Sequence, residues 1–430
     1  MAQQGEAQAA RPFDRVEDPP DTPAAPPVQS GMLQSLQLYP IFRFLIFGTL
    51  ATNTAFWMYQ VAVGWLALEV TDSPFFVGLA GFAGGIPMLL ISIPAGVIID
   101  RYDRRSVLLV AQVAIMIVSL LFAVLVATDL IAPWSMIVLV AINGTVMSFI
   151  FPTRSAIVGS VVPRHDLANA VALNAASQNS TRVFGPSLAG VLIAVVGVAT
   201  TFAIAAALQI LALAMTWRMP SSRAASSGRP VNAWASMAVG FRVMAHQPAI
   251  LALIILSLAP TIFVMPYINL MPVFARDVLD LGSTGLGILL AAIGLGTVGG
   301  ALSVARSATL RERKGVQLAM AVAFGVLIVA FSLTSFVPLA AVFLFGAGWV
   351  SAVFLALNQT AVQMSVDDDV RGRVLSISLV AWGMLPLGQL LVGGLANAMG
   401  TANAMIVSCV IGIVLVGVIA VRYPSLRQAA

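Results

Sequence analysis

After residue 40 the chain alternates long apolar stretches with short polar ones. Twelve such stretches fall at about 42–69, 75–99, 106–128, 133–159, 167–193, 197–218, 248–275, 283–305, 315–334, 337–361, 371–396 and 401–422. Runs such as "VLIAVVGVATTFAIAAALQILALAM" hold no charged residue and are long enough for the roughly 30 Å hydrocarbon layer of a membrane. Lipid offers the backbone no hydrogen-bond partner, so a spanning segment is a helix or belongs to a closed barrel. Unbroken apolarity lacks the alternation of a barrel strand. The pattern therefore predicts an all-α membrane protein with twelve transmembrane helices.

One long connection, "RMPSSRAASSGRPVNAWASMAVGFRVMAHQ", begins polar and continues as an amphipathic piece. It divides the spans into two groups of six. The expected organisation is a tail at 1–40, a first six-helix bundle at 41–218, a linker with an amphipathic helix at 219–247, a second bundle at 248–423 and a short tail at 424–430. The leading segment, rich in Ala, Gln, Pro and acids, cannot bury enough surface to fold alone and is expected to be disordered. It lacks the apolar core of a secretory signal peptide.

Composition agrees: 60% of the residues are hydrophobic and 9% charged, against about 25% charged in soluble domains. The placement of charge says more. With a cytoplasmic N-terminus, nearly every arginine and the single lysine fall on the cytoplasmic side, and only Arg276 lies outside. That bias predicts both termini in the cytoplasm and accounts for the net charge of +5 without nucleic acid. A single cysteine, Cys409, excludes an intrachain disulfide, and two histidines near loops leave no basis for a metal cluster. "GLGTVG", Gly294 to Gly299, fits a dinucleotide fingerprint but lies inside an apolar span, where it reads as helix packing. There is no Walker loop, HExxH, GxSxG or pair of catalytic carboxylates, so neither an enzyme nor a cofactor is expected.

The halves resemble each other. Sliding the chain by 204 residues lays "VVPRHDLANAVAL" on "SVDDDVRGRVLSI", and Ala189 and Gly190 on Gly393 and Gly394. The same hydropathy recurs with the same loop position, as expected of two parallel six-helix repeats meeting at a substrate path near the midplane.

"AGVIIDRYDRRSVLL", Ala95 to Leu109, concentrates charge between the second and third spans. Gly96 and Asp100 are four apart and share a helix face, where the glycine admits close packing. A carboxylate at the C-terminal end of a helix opposes the dipole, so Asp100 calls for an offset. Arg101, Arg104 and Arg105 can supply it, as can the N-terminus of another helix; the eleventh span opens with Arg371 and Arg373. The alternative is a solvated, positive-inside loop.

With these residues in these places the chain resembles the major facilitator superfamily, whose loop signature runs Gly, three residues, Asp, Arg, two residues, Arg, Arg or Lys. Asp103 stands where the family usually has glycine. "MYQVAVGWLALEVTDSPFFVGL", "FPTRSAIVGSVVPRHDLANAVALN", "RVFGPSLAG" and "RGRVLSI" are similar to the branch with the bacterial enterobactin exporter and macrolide efflux proteins. The resemblance implies the major facilitator fold in a bacterial inner membrane. It also implies that Gly96, Asp100, Arg101, Arg104 and Arg105 lock the bundles together on the cytoplasmic side through the start of the eleventh span, Arg371 and Arg373.

In the fifth span Asn174, Gln178 and Arg182 recur every four residues as a polar stripe. Arg182 lies near mid-membrane, where an arginine costs roughly 2.5–3.5 kcal/mol on insertion scales and calls for a partner. Helix-end carbonyls, polar side chains, water, or an anionic or carbonyl-rich substrate would serve, and a structural tie between helices is the alternative to a cavity role. Gly185, Pro186 and Gly190 resemble the family's exporter signature "GPxxGG", which implies a hinge and seal. Arg154 reads as snorkelling toward the cytoplasm. Asn53, Trp57 and Gln60 share one face of the first span, and Tyr267, Asn358 and Trp382 are further candidates for the substrate cavity.

The expectation is a monomeric secondary transporter exporting a hydrophobic or amphipathic small molecule of the drug or siderophore class by alternating access. Protons as coupling ion follow from the resemblance, although Glu69 and Asp100 are the only acids near a path. An importer of a small metabolite, or a non-transporting ligand sensor, is the alternative.

Overall fold

The computed structural model describes residues 34–163, 165–221, 248–307, 315–364 and 383–424. All regular structure among them is helical. Span 1 is Pro40–Thr71, span 2 Pro74–Arg101, span 3 Arg104–Ala127 and span 4 Pro133–Val161. Spans 1, 2 and 4 each open on a proline, whose missing N–H and fixed φ suit the first helical position.

Leu167–Trp217 is a 51-residue helical run, about 77 Å if straight, which is more than twice the hydrocarbon thickness. Gly197, at φ 82 and ψ 169, breaks it into spans 5 and 6, a backbone conformation that is essentially restricted to glycine. Span 7 runs from Pro248–Phe263 through the short turns Met265–Ile268, Met271–Val273 and Phe274–Val278. Span 8 is Gly282–Arg306, span 9 Gly315–Leu333, span 10 Val337–Met364 and span 12 Thr401–Arg422. Leu385–Met399 is the described part of span 11. The twelve-span reading of the sequence thus maps onto the helices segment by segment.

The repeat is visible in the turns. Gly197 between spans 5 and 6 and Gly400 between spans 11 and 12 have φ 82 and φ 83, and Asp72 and Asp280, after spans 1 and 7, both have φ 50. Gly400 stands one residue short of the 204-residue slide from Gly197, so the true register near these spans differs by one from the sequence alignment.

Within each bundle glycines let backbones approach. Gly144 of span 4 sits against the Gly84 carbonyl of span 2, and Gly296 and Gly300 of span 8 sit against Phe345 and Trp349 of span 10. Aromatic groups fill the layer beyond. Phe122 of span 3 stacks on Phe202 of span 6 at 4.7 Å with Tyr59 edge-on, and Phe274 packs on Phe331 at 4.7 Å with Tyr267 edge-on to Phe324. Large apolar side chains such as Val110, Val195, Leu333 and Val421 are exposed around the perimeter, as a lipid-facing surface requires.

Residues 34–38, expected in a disordered tail, form a short helix docked on the start of span 5. Ser35 N–H donates to Asn169 Oδ1 at 3.2 Å and the Tyr39 hydroxyl to Asp166 Oδ2 at 2.7 Å. The rest of the expected tail and the bulk of the linker lie outside the described residues.

Gly197→Val is expected to lower stability by about 1–3 kcal/mol, the cost of placing a branched residue in that backbone region. Gly394→Ala, in a helix with open space where a Cβ would point, is expected to be neutral. Thermal unfolding of the two purified variants in detergent checks both.

Candidate functional site

The charged loop between spans 2 and 3 divides into two sets. Asp103 is the N-cap of span 3: its Oδ2 accepts from the Ser106 N–H at 3.0 Å and the Ser106 hydroxyl at 2.8 Å, and its Oδ1 accepts from Ser221 at 2.8 Å. This explains an aspartate where the signature usually carries glycine. Arg104 donates to the Ala156 carbonyl of span 4 at 3.2 Å, and Arg105 to the Trp217 carbonyl of span 6 at 2.6 Å, over whose ring its guanidinium lies at 5.3 Å. These three residues staple the loop to its own bundle. Asp100 and Arg101 are exposed and make no hydrogen bond or ion pair with a described residue, and none comes within 4 Å of a Cβ placed on Gly96. The expected partners Arg371 and Arg373 lie outside the described residues, as does Trp382.

At the opposite end the two bundles touch. Gly78 of span 2 sits on the Gln389 carbonyl and the Cα of Gly393 in span 11, and Gly85 sits on Pro386. The symmetry-related seam joins spans 5 and 8, with Gly190 on the backbone of Gly287 and Gly294 on Val183. Gly190 and Gly393 therefore play the same part in the two halves, while Gly394, which the 204-residue slide matched to Gly190, faces open space. Gln389 Nε2 donates to Asn269 Oδ1 at 2.7 Å, and the Ser73 hydroxyl to Asn397 Oδ1 at 3.0 Å. Arg276, at the end of span 7, donates to the Leu68 carbonyl at 3.2 Å and pairs with Asp72, so it clamps the C-terminal end of span 1. It also pairs with Asp277 at 2.5 Å. The sequence marked Arg276 as the lone basic residue at that end without assigning it a partner; the small-residue run "GLAGFAGG" was the overlooked signal for the seam.

Between these ends lie the mid-membrane candidates. Gly185 leaves span 5 against Trp57 of span 1, and the Arg182 guanidinium lies over the Trp57 ring at 5.7 Å. Tyr267, on the other bundle, is 1% exposed. Gln178 is half-buried and Gln60 exposed, whereas Asn53 and Asn174 are buried, each with an amide oxygen that finds no partner. Asn358 is also buried, and its amide donates to the Leu253 carbonyl at 3.2 Å, a tie between spans 10 and 7 inside one bundle. Pro186 sits inside the helical run, whose one non-helical residue is Gly197, and Gly185 and Gly190 are points of close approach to Trp57 and to Gly287.

Arg154 departs from expectation. It does not snorkel: it is 3% exposed and donates from Nη1 to Thr49 at 2.8 Å and from Nη2 to Thr52 at 2.7 Å, with the Thr52 hydroxyl reaching Gln209 at 3.4 Å. Span 4 presents it to spans 1 and 6, and the two threonine hydroxyls on span 1 hold it inside the bundle.

The family model described as transmembrane secretion effector matches residues 35–429. The chain belongs to the major facilitator superfamily, in this secretion effector family. It is 25% identical to the multidrug efflux pump Tap of Mycolicibacterium fortuitum, over 89% of this chain and 96% of that protein. It is 28% identical to the enterobactin exporter of Shigella boydii, over 90% and 92%. Among solved structures, a bacterial homologue of the human lysosomal transporter Spinster, in an inward-facing and unoccupied conformation, superimposes with a TM-score of 0.72 at 15% identity, over 90% of this chain and 99% of that one. Family and relatives are transporters, and this protein is a multi-pass membrane transporter for small molecules, not an enzyme.

Gly190→Leu is expected to hold spans 5 and 8 apart, because the Gly287 backbone occupies the space its side chain needs. With cysteines at Ser73 and Asn397, disulfide cross-linking across the bundles should fall several-fold; an unchanged yield would show that the seam does not govern closure.

Proposed function

We propose that this major facilitator protein is a proton-driven exporter of small amphipathic molecules, of the drug or siderophore class, working as a monomer in a bacterial inner membrane. Residues 41–218 and 248–423 form its two rocking bundles, joined by a cytoplasmic linker at 219–247, with both termini in the cytoplasm. The basic end, which carries the loop between spans 2 and 3, is the cytoplasmic end. The relatives named as efflux pump and exporter support the direction of transport.

One observation carries the mechanism: among the described residues, bundle-to-bundle contacts run from the midplane to the end opposite the basic loop. Such an arrangement closes the outer end, as in an inward-facing carrier. Asp100 and Arg101, exposed and without a partner among the described residues, are the lock of the other end, to be engaged with Arg371 and Arg373 when the cytoplasmic side closes. Arg104 and Arg105, held by carbonyls of their own bundle, keep the loop in shape for that encounter.

Arg276 acts as the opposing latch. Its partner Asp72 is 85% exposed, and an exposed ion pair contributes about 0–1 kcal/mol, so the latch biases the equilibrium about fivefold at most. A bias of that size suits a carrier that must leave each state once per cycle. The candidates for the proton-carrying acid are Glu69, exposed near the outer end of span 1, and Asp100.

Flux of a fluorescent amphiphile into everted vesicles tests the reading. Accumulation that collapses on adding a protonophore is expected; accumulation indifferent to it removes proton coupling, and uptake only into right-side-out vesicles reverses the direction. Arg276→Gln should speed alkylation of a cysteine at Ser73 about two- to fivefold, matching the loss of the latch. Asp100→Asn should slow that alkylation by removing the counterweight. If neither rate moves, the two charge sets are not opposing latches.

A further inference from the structure

Arg182 stands on span 5 beside the seam between the bundles. It leaves span 5 beside Val183, which packs on Gly294 of the other bundle, and near Gly185, which packs on Trp57 of its own. Arg182 is half-buried as a residue, and its guanidinium lies over the Trp57 ring at 5.7 Å. One cation at mid-membrane thus has an aromatic ring beside it, with the neutral amide of Gln178 one helical turn away on the same face.

The sign of charge at this depth is one-sided. Every aspartate and glutamate among the described residues sits in a turn, at a cap or in the last turn of a helix. The other mid-span cation, Arg154, is enclosed in the first bundle and adds to the same positive field without being reachable. A cationic cargo passing here meets like charge, with no carboxylate at that depth among the described residues to offset it. An anionic cargo meets a flat, forked donor suited to a carboxylate, in a water-poor setting where charge-assisted hydrogen bonds are strongest.

Resting on the reading that the space between the bundles is the transport path, we infer that Arg182 selects the cargo: an amphipathic molecule with an aromatic body and a carboxylate. The guanidinium holds the carboxylate in a forked pair of hydrogen bonds. The Trp57 ring, half-buried beside it, faces the aromatic body. Val183, next in the chain, packs on Gly294 of the other bundle, so the carboxylate is held beside the seam between the two parts that must move.

Binding of 1-pyrenebutyrate to the purified full-length protein tests this, measured by calorimetry against the trimethylammonium compound with the same ring and chain. The anion is expected to bind at least tenfold more tightly. Arg182→Gln should weaken the anion roughly tenfold and bring the two probes to parity, while Arg182→Lys keeps the order. No binding of the anion, equal affinity for the cation in the unmodified protein, or an anion affinity untouched by Arg182→Gln overturns the inference. Should Arg182→Gln fail to fold, the comparison of the two probes on the unmodified protein and on Arg182→Lys decides alone. Export of a cationic dye from cells without any anion binding would remove the inference and leave the exporter reading intact. Anion binding with no flux of any cargo would do the reverse.

Discussion

At the centre of each seam the two bundles meet backbone to backbone. Gly78 against Gly393, and Gly190 against Gly287, bring four helices closer than a Cβ on Gly78, Gly190 or Gly393 would allow. In lipid no hydrophobic force drives helices together, so close backbone packing and a few hydrogen bonds must supply the attraction. Such a seam is tight when closed, yet the glycines at its centre leave few side chains to disengage when it opens. Each bundle by contrast is held by interlocked aromatic layers, Phe122 with Phe202 and Phe274 with Phe331, which make it a rigid body. The difference between seam and core is what lets the halves rock as units.

Charge is placed to tune that rocking rather than to hold the fold. The basic loop spends Asp103, Arg104 and Arg105 on its own bundle, as helix cap and carbonyl clamps, and leaves Asp100 and Arg101 exposed, with no partner among the described residues. At the other end Arg276 reaches from one bundle to the C-terminus of span 1 in the other, where carbonyl and carboxylate both favour a cation. Neither set is worth more than the small free-energy difference a cycling carrier can tolerate.

Much of the fold was legible because membrane spans write themselves as unbroken apolarity, and the turn glycines Gly197 and Gly400 fall where the pattern breaks. The sequence marked Arg182 and Trp57 separately, each on its own polar stripe, but did not show that the guanidinium lies over the ring. What stayed hidden was register and depth. A 204-residue slide placed Gly394 where the packing uses Gly393, because apolar helices tolerate a one-residue shift with little change in hydropathy. Arg154 read as snorkelling because a sequence shows its distance from the helix end but not the threonines Thr49 and Thr52 waiting on another span. Asn358 likewise carried no mark of its carbonyl partner at Leu253, 105 positions away in the chain.

The account stands on the two ends closing in alternation around the glycine seam. Double electron–electron resonance measures this directly, with one spin-label pair at Ser73 and Asn397 and another at the exposed positions Val97 and Met364 of the basic end. The predicted result is two populations in which the first distance lengthens by several ångström as the second shortens, with the balance shifting when protons or cargo are supplied. Distances that lengthen together, or that stay single-valued under every condition, would contradict it.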